Sequence, residues 1–336
     1  MTIYNDYDLT CHNTFGISAT CRRYIDYDST EDAIKVGRMI SQQPYIIIGG
    51  GSNLLLVGNY DGTVVHSSVM GIESDIIGNN VMVRVGSGEC WDHLVAHCVE
   101  QGWYGLENLS LIPGDTGAAA VQNIGAYGAE VKDYIYKVEG IEVDSGRMVS
   151  FGVADCHYAY RDSIFKNELK GKVLITHVTL LLSREFVPNI SYGGISTYLT
   201  DHGIKHPDAR QLRAAIIDIR RSKLPDPEEL GNAGSFFKNP VVDKTVYERL
   251  KERFGDDMPH YSVDDEHEKI PAGWMIEKCG WKGRRVGNAG VHDRQALVLV
   301  NHGGASGQEI LALCNSIRSD IKDMFGVDLQ PEVNII

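Results

Sequence analysis

The segment "PYIIIGGGSNLLLV", residues 44–57, is a β-branched apolar run, a glycine turn and a second apolar run. That is the pattern of a buried strand opening into a backbone loop. "GTVVHSS" (62–68) and "VMVRVGSGE" (81–89) alternate apolar and polar positions, which predicts half-buried strands. The period then changes. "WDHLVAHCVEQG" (91–102) puts Leu94, Val95 and Cys98 on one helical face, with Gly102 as the stop. From 103 to 130 neither period holds; small residues surround Pro113 in a stretch too apolar for disorder, so a long functional loop is expected. "YIYKVEGIEVDSGRMVSF" (134–151) reads as a hairpin turning at Asp144-Ser145-Gly146, and "KVLITHVTLLLS" (172–183) as a further long strand.

Helical spacing returns at "DARQLRAAIIDIRRSK" (208–223), which must finish before the Leu224-Pro225 step, and Pro225 with Pro227 marks the best single domain boundary. "VYERLKERFG" and "AGWMIEKCG" predict two more helices, and "QALVLVN" a short strand. Ser306 and Glu309 form a capping-box pattern ahead of a stripe at Ile310, Leu313, Cys314, Ile317, Ile321 and Met324, spaced for a core-facing helix. "VDLQPEVNII" closes the chain as a strand carrying one acid, Glu332.

Composition narrows the function classes. At 336 residues the chain has room for two or three domains, since single cores stop growing at roughly 250 to 300 residues. A formal net charge of −13 argues against gripping nucleic-acid backbones, which takes clustered Lys and Arg. No basic-then-apolar leader and no membrane-length run is present, so a cytoplasmic protein without a membrane partner is expected. Seven scattered cysteines without a Cys-x-x-Cys pair suit free thiols in a reducing compartment. His93 and His97 lie four apart, but no third ligand stands at a recognisable spacing; ordinary helix-surface histidines, and no metal, are expected.

Three segments carry candidate chemistry. In "IIIGGGSNLL" the dinucleotide fingerprint fails, because Leu54 follows Gly49 and Gly51 where a third glycine belongs. Its successive backbone N–H groups still suit a diphosphate without basic side chains, and a plain strand connection is the other reading. "AYRDSIFK" sets Arg161 and Lys166 among aromatic and apolar neighbours, as a structural ion pair with Asp162 or as a hand for a carboxylate or phosphate. "GNAGSFFKNP" holds Ser235 between a glycine and two phenylalanines, a turn serine or a placed hydroxyl; Phe237 excludes the hydrolase elbow.

Taken in order, "GGGSNLLL", "LIPGDTGAAAVQNIGAYG", "YRDSIFK", "NAGSFFKNP", "PAGWMIEKCGWKG" and "PEV" resemble the UDP-N-acetylenolpyruvoylglucosamine reductase (MurB) family, from Asn13-Thr14-Phe15-Gly16 to the final residues. The resemblance implies an α+β fold: a two-subdomain FAD-binding module of the vanillyl-alcohol-oxidase/PCMH type plus a C-terminal α+β substrate-binding domain. The implied division is 1–67, 68–224 (completed by 327–336) and 225–326. It implies non-covalent FAD, held by Gly49, Gly50, Gly51, Ser52, Asn53 and Leu54 and by Gly114, Gln122, Asn123, Gly125, Ala126 and Arg161.

The implied reaction takes hydride from NADPH through FAD to a UDP-linked enolpyruvyl amino sugar, with negative charge developing at the carbon α to its carboxylate. Such a reaction needs a cation, polar partners and a proton donor. By motif, Arg161 and Glu332 stabilise that charge and Ser235 gives the proton. Tyr192, Lys223 and Asn239 match substrate-facing residues of the family's longer form, and Glu332 depends on a well-docked C-terminal strand. No obligate protein partner is evident. Two other readings remain at this level: another FAD oxidoreductase or oxidase of the same fold, and a non-catalytic nucleotide-sugar binding protein.

Overall fold

A computed structural model describes residues 1–336, apart from the surroundings of Gly193. The chain divides into two compact units, one of Met1–Tyr7, Cys21–Gly50 and Tyr60–Ser222, the other of Asp8–Thr20, Gly51–Asn59 and Lys223–Ile336.

The first unit carries two sheets. In one, strands Thr2–Asp8, Thr20–Tyr27, Tyr60–Ser67 and Tyr45–Ile48 lie side by side in that order, the last three parallel. Helix α1 (Thr30–Ile40) supplies the crossover from Thr20–Tyr27 to Tyr45–Ile48, and Tyr60–Ser67 lies between those two strands. This helix adds to the elements expected from the pattern. Its start is nonetheless written in the sequence: the Ser29 side chain accepts from the Asp32 N–H, and Glu31 and Asp32 occupy the first turn. Buried Ala33, Val36 and Ile40 pack against Ile25, Tyr27 and Val65 of this sheet and Ile141, Val143 and Leu174 of the next.

The second sheet is antiparallel, in the order Met148–Gly152, Ile135–Glu142, Val173–Ser183, Asn80–Gly86, Ile72–Ile77. Its alternation divides the faces. Val81, Val83, Val85, Val138, Val178, Leu180 and Leu182 are buried in one core with residues of α2 (Trp91–Gln101) and α3 (Thr116–Gln122). On the polar face, Arg84 donates to Glu139 at 3.0 Å. Gly102 ends α2 in the left-handed region, as its position in the sequence predicts.

Helix α3 lies inside the stretch expected to be loop. Its sequence, TGAAAVQ, lacks an amphipathic stripe because small residues are required: a Cβ on Gly117 would stand 2.8 Å from the Ser87 Cβ. Helices α4 (Gly193–Asp201) and α5 (Ala209–Lys223) share a core of Ile195, Leu199, Leu212, Ile216 and Ile219, and Arg213 of α5 grips Asp92 of α2 at 2.8 and 3.0 Å.

The second unit is built on an antiparallel sheet, Gly231–Ser235, Val298–Asn301, Ala289–Val291 and Arg285–Val286, with helices α6 (Lys244–Phe254), α7 (Ala272–Lys278) and α8 (Gly307–Phe325). Strand Asn334–Ile335 runs parallel to Leu54–Leu55. The expected capping box is formed: the Ser306 hydroxyl accepts from the Glu309 N–H at 3.2 Å, and a Glu309 carboxylate oxygen accepts from the Ser306 N–H at 2.8 Å.

Ser306→Ala is expected to cost about 1 kcal/mol. Gly307→Ala should cost more, because its Cβ would fall 1.8 Å from the Leu56 carbonyl oxygen. Urea unfolding with unchanged slopes and shifted midpoints, in that order of severity, is the check.

Candidate functional site

In the first unit, strand Tyr45–Ile48 delivers Gly49 and Gly50 against residues 114–118. A Cβ on Gly49 would lie 2.8 Å from the Ala118 Cβ, and one on Gly50 would lie 3.3 Å from the Gly114 Cα. The glycine turn is therefore packed against Ala118, the Asp115 carboxylate and Gly114, where any larger residue would hold the two stretches apart. Behind them stands a polar group that the sequence did not signal. His66 bridges Asp26 at 2.9 Å and Asp115 at 3.3 Å, and the Ser68 hydroxyl donates to Asp26 at 2.8 Å. Burial of the ring opposes protonation, but the carboxylates of Asp115 and Asp26 outweigh it and lift the imidazole above its ordinary value.

Past α3 the chain turns sharply. Asn123, buried and left-handed at φ 45°, sends its amide nitrogen to the Ala159 carbonyl at 2.8 Å and to Glu130 at 3.1 Å. Gly125 and Ala126 pair with Glu130 and Ala129 in a two-residue ladder. Into this corner reaches Arg161, also left-handed at φ 54°, whose guanidinium donates to the Gly125 carbonyl at 2.6 Å and to that of Asn123 at 3.4 Å. The Lys166 ammonium donates to the Gln122 side chain at 2.7 Å and to the Arg161 carbonyl at 2.9 Å. Gln122, Asn123, Gly125, Ala126 and Arg161 are thus one cluster.

Beside this cluster Tyr127, left-handed at φ 49°, meets the exposed ring of Tyr192 edge-on at 5.4 Å. Arg220 shares this neighbourhood: burial pulls its pKa down, against the opposing field of Tyr127 and Asp92. Tyr127 and Arg220 adjoin the cluster, Tyr127 from within the block "LIPGDTGAAAVQNIGAYG". Neither stands at a spacing that marks it.

In the second unit, Ser235 ends strand Gly231–Ser235 beyond a bulge between Asn232 and Ser235, and Gly234 there has φ 66°. Phe236 and Phe237 are fully buried. The Phe236 carbonyl accepts from the Glu332 N–H at 2.8 Å, and Phe237 pairs with Pro331. The Asn53 side-chain amide donates to the Glu332 carbonyl at 3.3 Å, while the Asn334 N–H donates to the Asn53 carbonyl at 3.1 Å. Asn53, Ser235 and Glu332 are thereby brought together from three distant parts of the sequence.

Gly51 at φ 68° packs so tightly that a Cβ would stand 2.0 Å from the His12 carbonyl oxygen, with Ser52 in the turn that follows and Leu54 buried beyond it. Asn239 accepts from the Ala272 N–H at 2.9 Å, at the start of α7. Lys223 is exposed.

Two sheets, with a glycine turn packed against residues 114–118, make a flavoprotein scaffold: residues 22–152 match the FAD binding domain, and residues 226–336 match the UDP-N-acetylenolpyruvoylglucosamine reductase C-terminal domain. The chain is 47% identical to the UDP-N-acetylenolpyruvoylglucosamine reductase of Bacteroides fragilis (strain YCH46), over 98% of this chain and 99% of that one. It is 45% identical to that of Chromobacterium violaceum, over 98% of each. The chain belongs to the UDP-N-acetylenolpyruvoylglucosamine reductase family.

A crystal structure of that reductase from Thermus caldophilus superposes with a TM-score of 0.69 at 21% identity, covering 99% of this chain and 98% of that one. A solvent-stable cholesterol oxidase gives 0.52 at 12% identity, covering 98% and 86%. These likenesses concern the fold, which is the expected α+β arrangement of a PCMH-type FAD-binding module with a C-terminal α+β domain. The residues present fit FAD: Gly49 and Gly50 have no side chains of their own, and Ala118, Asp115 and Gly114 fill the space where a Cβ would stand, so the turn is left with backbone N–H groups of the kind that bind a diphosphate.

The raised pKa of His66 makes a stability prediction. Protonated His66 stabilises the folded chain fully below its ordinary value of about 6.5, and this contribution is lost as pH rises through the higher folded-state value. The melting temperature of the native chain should exceed that of His66→Asn by a margin that is larger in mildly acidic than in alkaline buffer. Parallel thermal melts across that range measure it.

Proposed function

We propose that the chain catalyses the NADPH-dependent, FAD-mediated reduction of UDP-N-acetylglucosamine enolpyruvate to UDP-N-acetylmuramate, a step in making peptidoglycan precursors. The observation that carries this reading is the backbone docking of Glu332 onto Phe236 and Asn53, beside Ser235, in a chain akin over its whole length to reductases of that name. Bound FAD would supply hydride-transfer chemistry between NADPH and the enolpyruvyl group; the rest of the work falls to side chains.

Arg161 supplies a fixed cation for the substrate carboxylate. Glu332, carrying a proton, donates a hydrogen bond to the enolate-like charge that spreads from the α carbon into the carboxylate, and Ser235 delivers the proton to that carbon. A hydroxyl is a weak acid in water, but next to a strongly basic carbanion and against the buried Phe236 and Phe237 it needs only placement. Main chain at Gly49–Asn53 and Leu54, with Gly114, Gln122, Asn123, Gly125 and Ala126, holds the cofactor non-covalently. Tyr192, Lys223 and Asn239 face the nucleotide part of the substrate.

The separate sheets of residues 2–67 and 72–183 support a division of the FAD module near residue 67, with the substrate domain beginning at 225. No helix is long and apolar enough to cross a membrane among the described residues, and we assign the enzyme to the cytoplasm.

The test is anaerobic: the visible flavin band of the purified protein should bleach with NADPH and recover stoichiometrically on addition of the enolpyruvyl sugar nucleotide. Bleaching without recovery would instead favour another FAD enzyme of this fold. In Ser235→Ala, reduction by NADPH should persist while reoxidation by substrate slows by roughly 10²–10⁴-fold, the usual weight of a positioned proton donor. Equal losses in the two half-reactions would make Ser235 a structural residue.

A further inference from the structure

Arg161 occupies a backbone region that residues other than glycine seldom adopt, at φ 54°. Such a conformation persists only where the surroundings over-determine it. Three restraints are present. Ala159 and Asp162 exchange backbone hydrogen bonds at 3.1 Å each, closing a two-residue turn with Tyr160 and Arg161 at its tip. The guanidinium is held by the carbonyls of Gly125 and Asn123. The third restraint is the Lys166 ammonium, which donates to the Arg161 carbonyl at 2.9 Å and to Gln122 Oε1 at 2.7 Å.

Lys166 therefore ties the tip of the turn to the end of α3, the same helix end whose next residues receive the guanidinium. The arginine's backbone and its side chain are thus referred to one frame. Ser163 anchors the far side of the turn to that helix, its hydroxyl donating to the Val121 carbonyl at 2.7 Å. A neutral side chain at 166 leaves the Arg161 carbonyl and Gln122 without their shared cation, and the turn is free to relax toward an ordinary backbone conformation.

We propose that Lys166 is a positioning residue for the reduction step: it holds Arg161 in the left-handed conformation that presents the guanidinium to the substrate carboxylate. This rests on the carboxylate role proposed above for Arg161. Lys166 itself acts through Arg161 and does not bind the carboxylate.

The test uses the FAD-loaded enzyme with Lys166→Met, Lys166→Arg, Arg161→Lys and the double variant Lys166→Met/Arg161→Lys. Two quantities are read: the limiting rates of the two half-reactions, and the calorimetric Kd for UDP-N-acetylmuramate with the flavin oxidised. In Lys166→Met, flavin reduction by NADPH should stay within about twofold, reoxidation by substrate should fall roughly 10- to 100-fold, and product binding should weaken by about tenfold, the scale of a displaced catalytic group. Lys166→Arg should recover most of both, and the double variant should be no worse than Arg161→Lys alone.

Equal loss in both half-reactions, or additive loss in the double variant, overturns the proposal, since the first marks a structural lysine and the second an independent one. If Arg161→Lys itself leaves reoxidation and product binding unchanged, the underlying carboxylate reading fails, which is a different result. Should Lys166→Met not fold, Lys166→Gln carries the same comparison.

Discussion

The backbone hydrogen bonds of residues 330–336 hold the second unit's site together. Lys238 donates to the Gln330 carbonyl, Glu332 to that of Phe236, Asn334 to that of Asn53, and Ile336 to that of Leu55. This segment is thus threaded between the strand that ends in Ser235 and the chain that follows the glycine turn. Each bond is modest, roughly 1 kcal/mol net, but together they fix the register of the segment. Glu332 is held by its own N–H and carbonyl and by the pairing of its neighbours on both sides. The buried rings of Phe236 and Phe237 complete the seat, since they keep water from competing for these bonds.

The first unit reaches a comparable fixity by strain instead of pairing. Asn123, Tyr127 and Arg161 are all left-handed, and all three surround one corner of the structure. A non-glycine residue held there costs on the order of 1 kcal/mol, so three together would relax if nothing opposed them. What opposes them is a set of hydrogen bonds that runs between loops, from Asn123 to Ala159, from Arg161 to Gly125 and from Lys166 to Gln122. Each loop is strained in a way that another loop corrects.

How much of this could be read from the chain depends on the range over which each contact acts. The capping box of α8, the Gly102 stop and the period-two strands are local, and a window of a few residues contains their whole cause. Helix α1 is equally local: Ser29, the two acids that follow it, and Ala33, Val36, Gly37 and Ile40 at helical spacing all lie within one short window. Helix α3 is different. Its small residues are chosen for what lies against them, Ser87 for one, and a run of Gly and Ala shows no face until the partner is known. The bridge from His66 to Asp115 spans 49 positions and the bond from Lys166 to Gln122 spans 44, and no spacing rule reaches that far. The motif blocks did identify Arg161, Ser235 and Glu332 as candidates, but the backbone strain at Arg161 has no counterpart in its letters.

In a chain of net charge −13, an anionic substrate gains little from the long-range field. On the proposed reading, recognition falls to groups fixed at short range, and these are of two kinds. Backbone N–H groups near Gly49 and Gly50 are fixed by the tight packing of the turn against Gly114, Asp115 and Ala118. The Arg161 guanidinium is fixed by carbonyls that already hold part of its fork, so its plane is set before any ligand arrives. Lysine could supply the same charge but not the plane, because its ammonium is a point charge on a mobile stem. The two cations of "YRDSIFK" have therefore divided the work according to their chemistry. The planar one sits where orientation matters, and the point charge sits where a carbonyl and an amide oxygen need only to be drawn together.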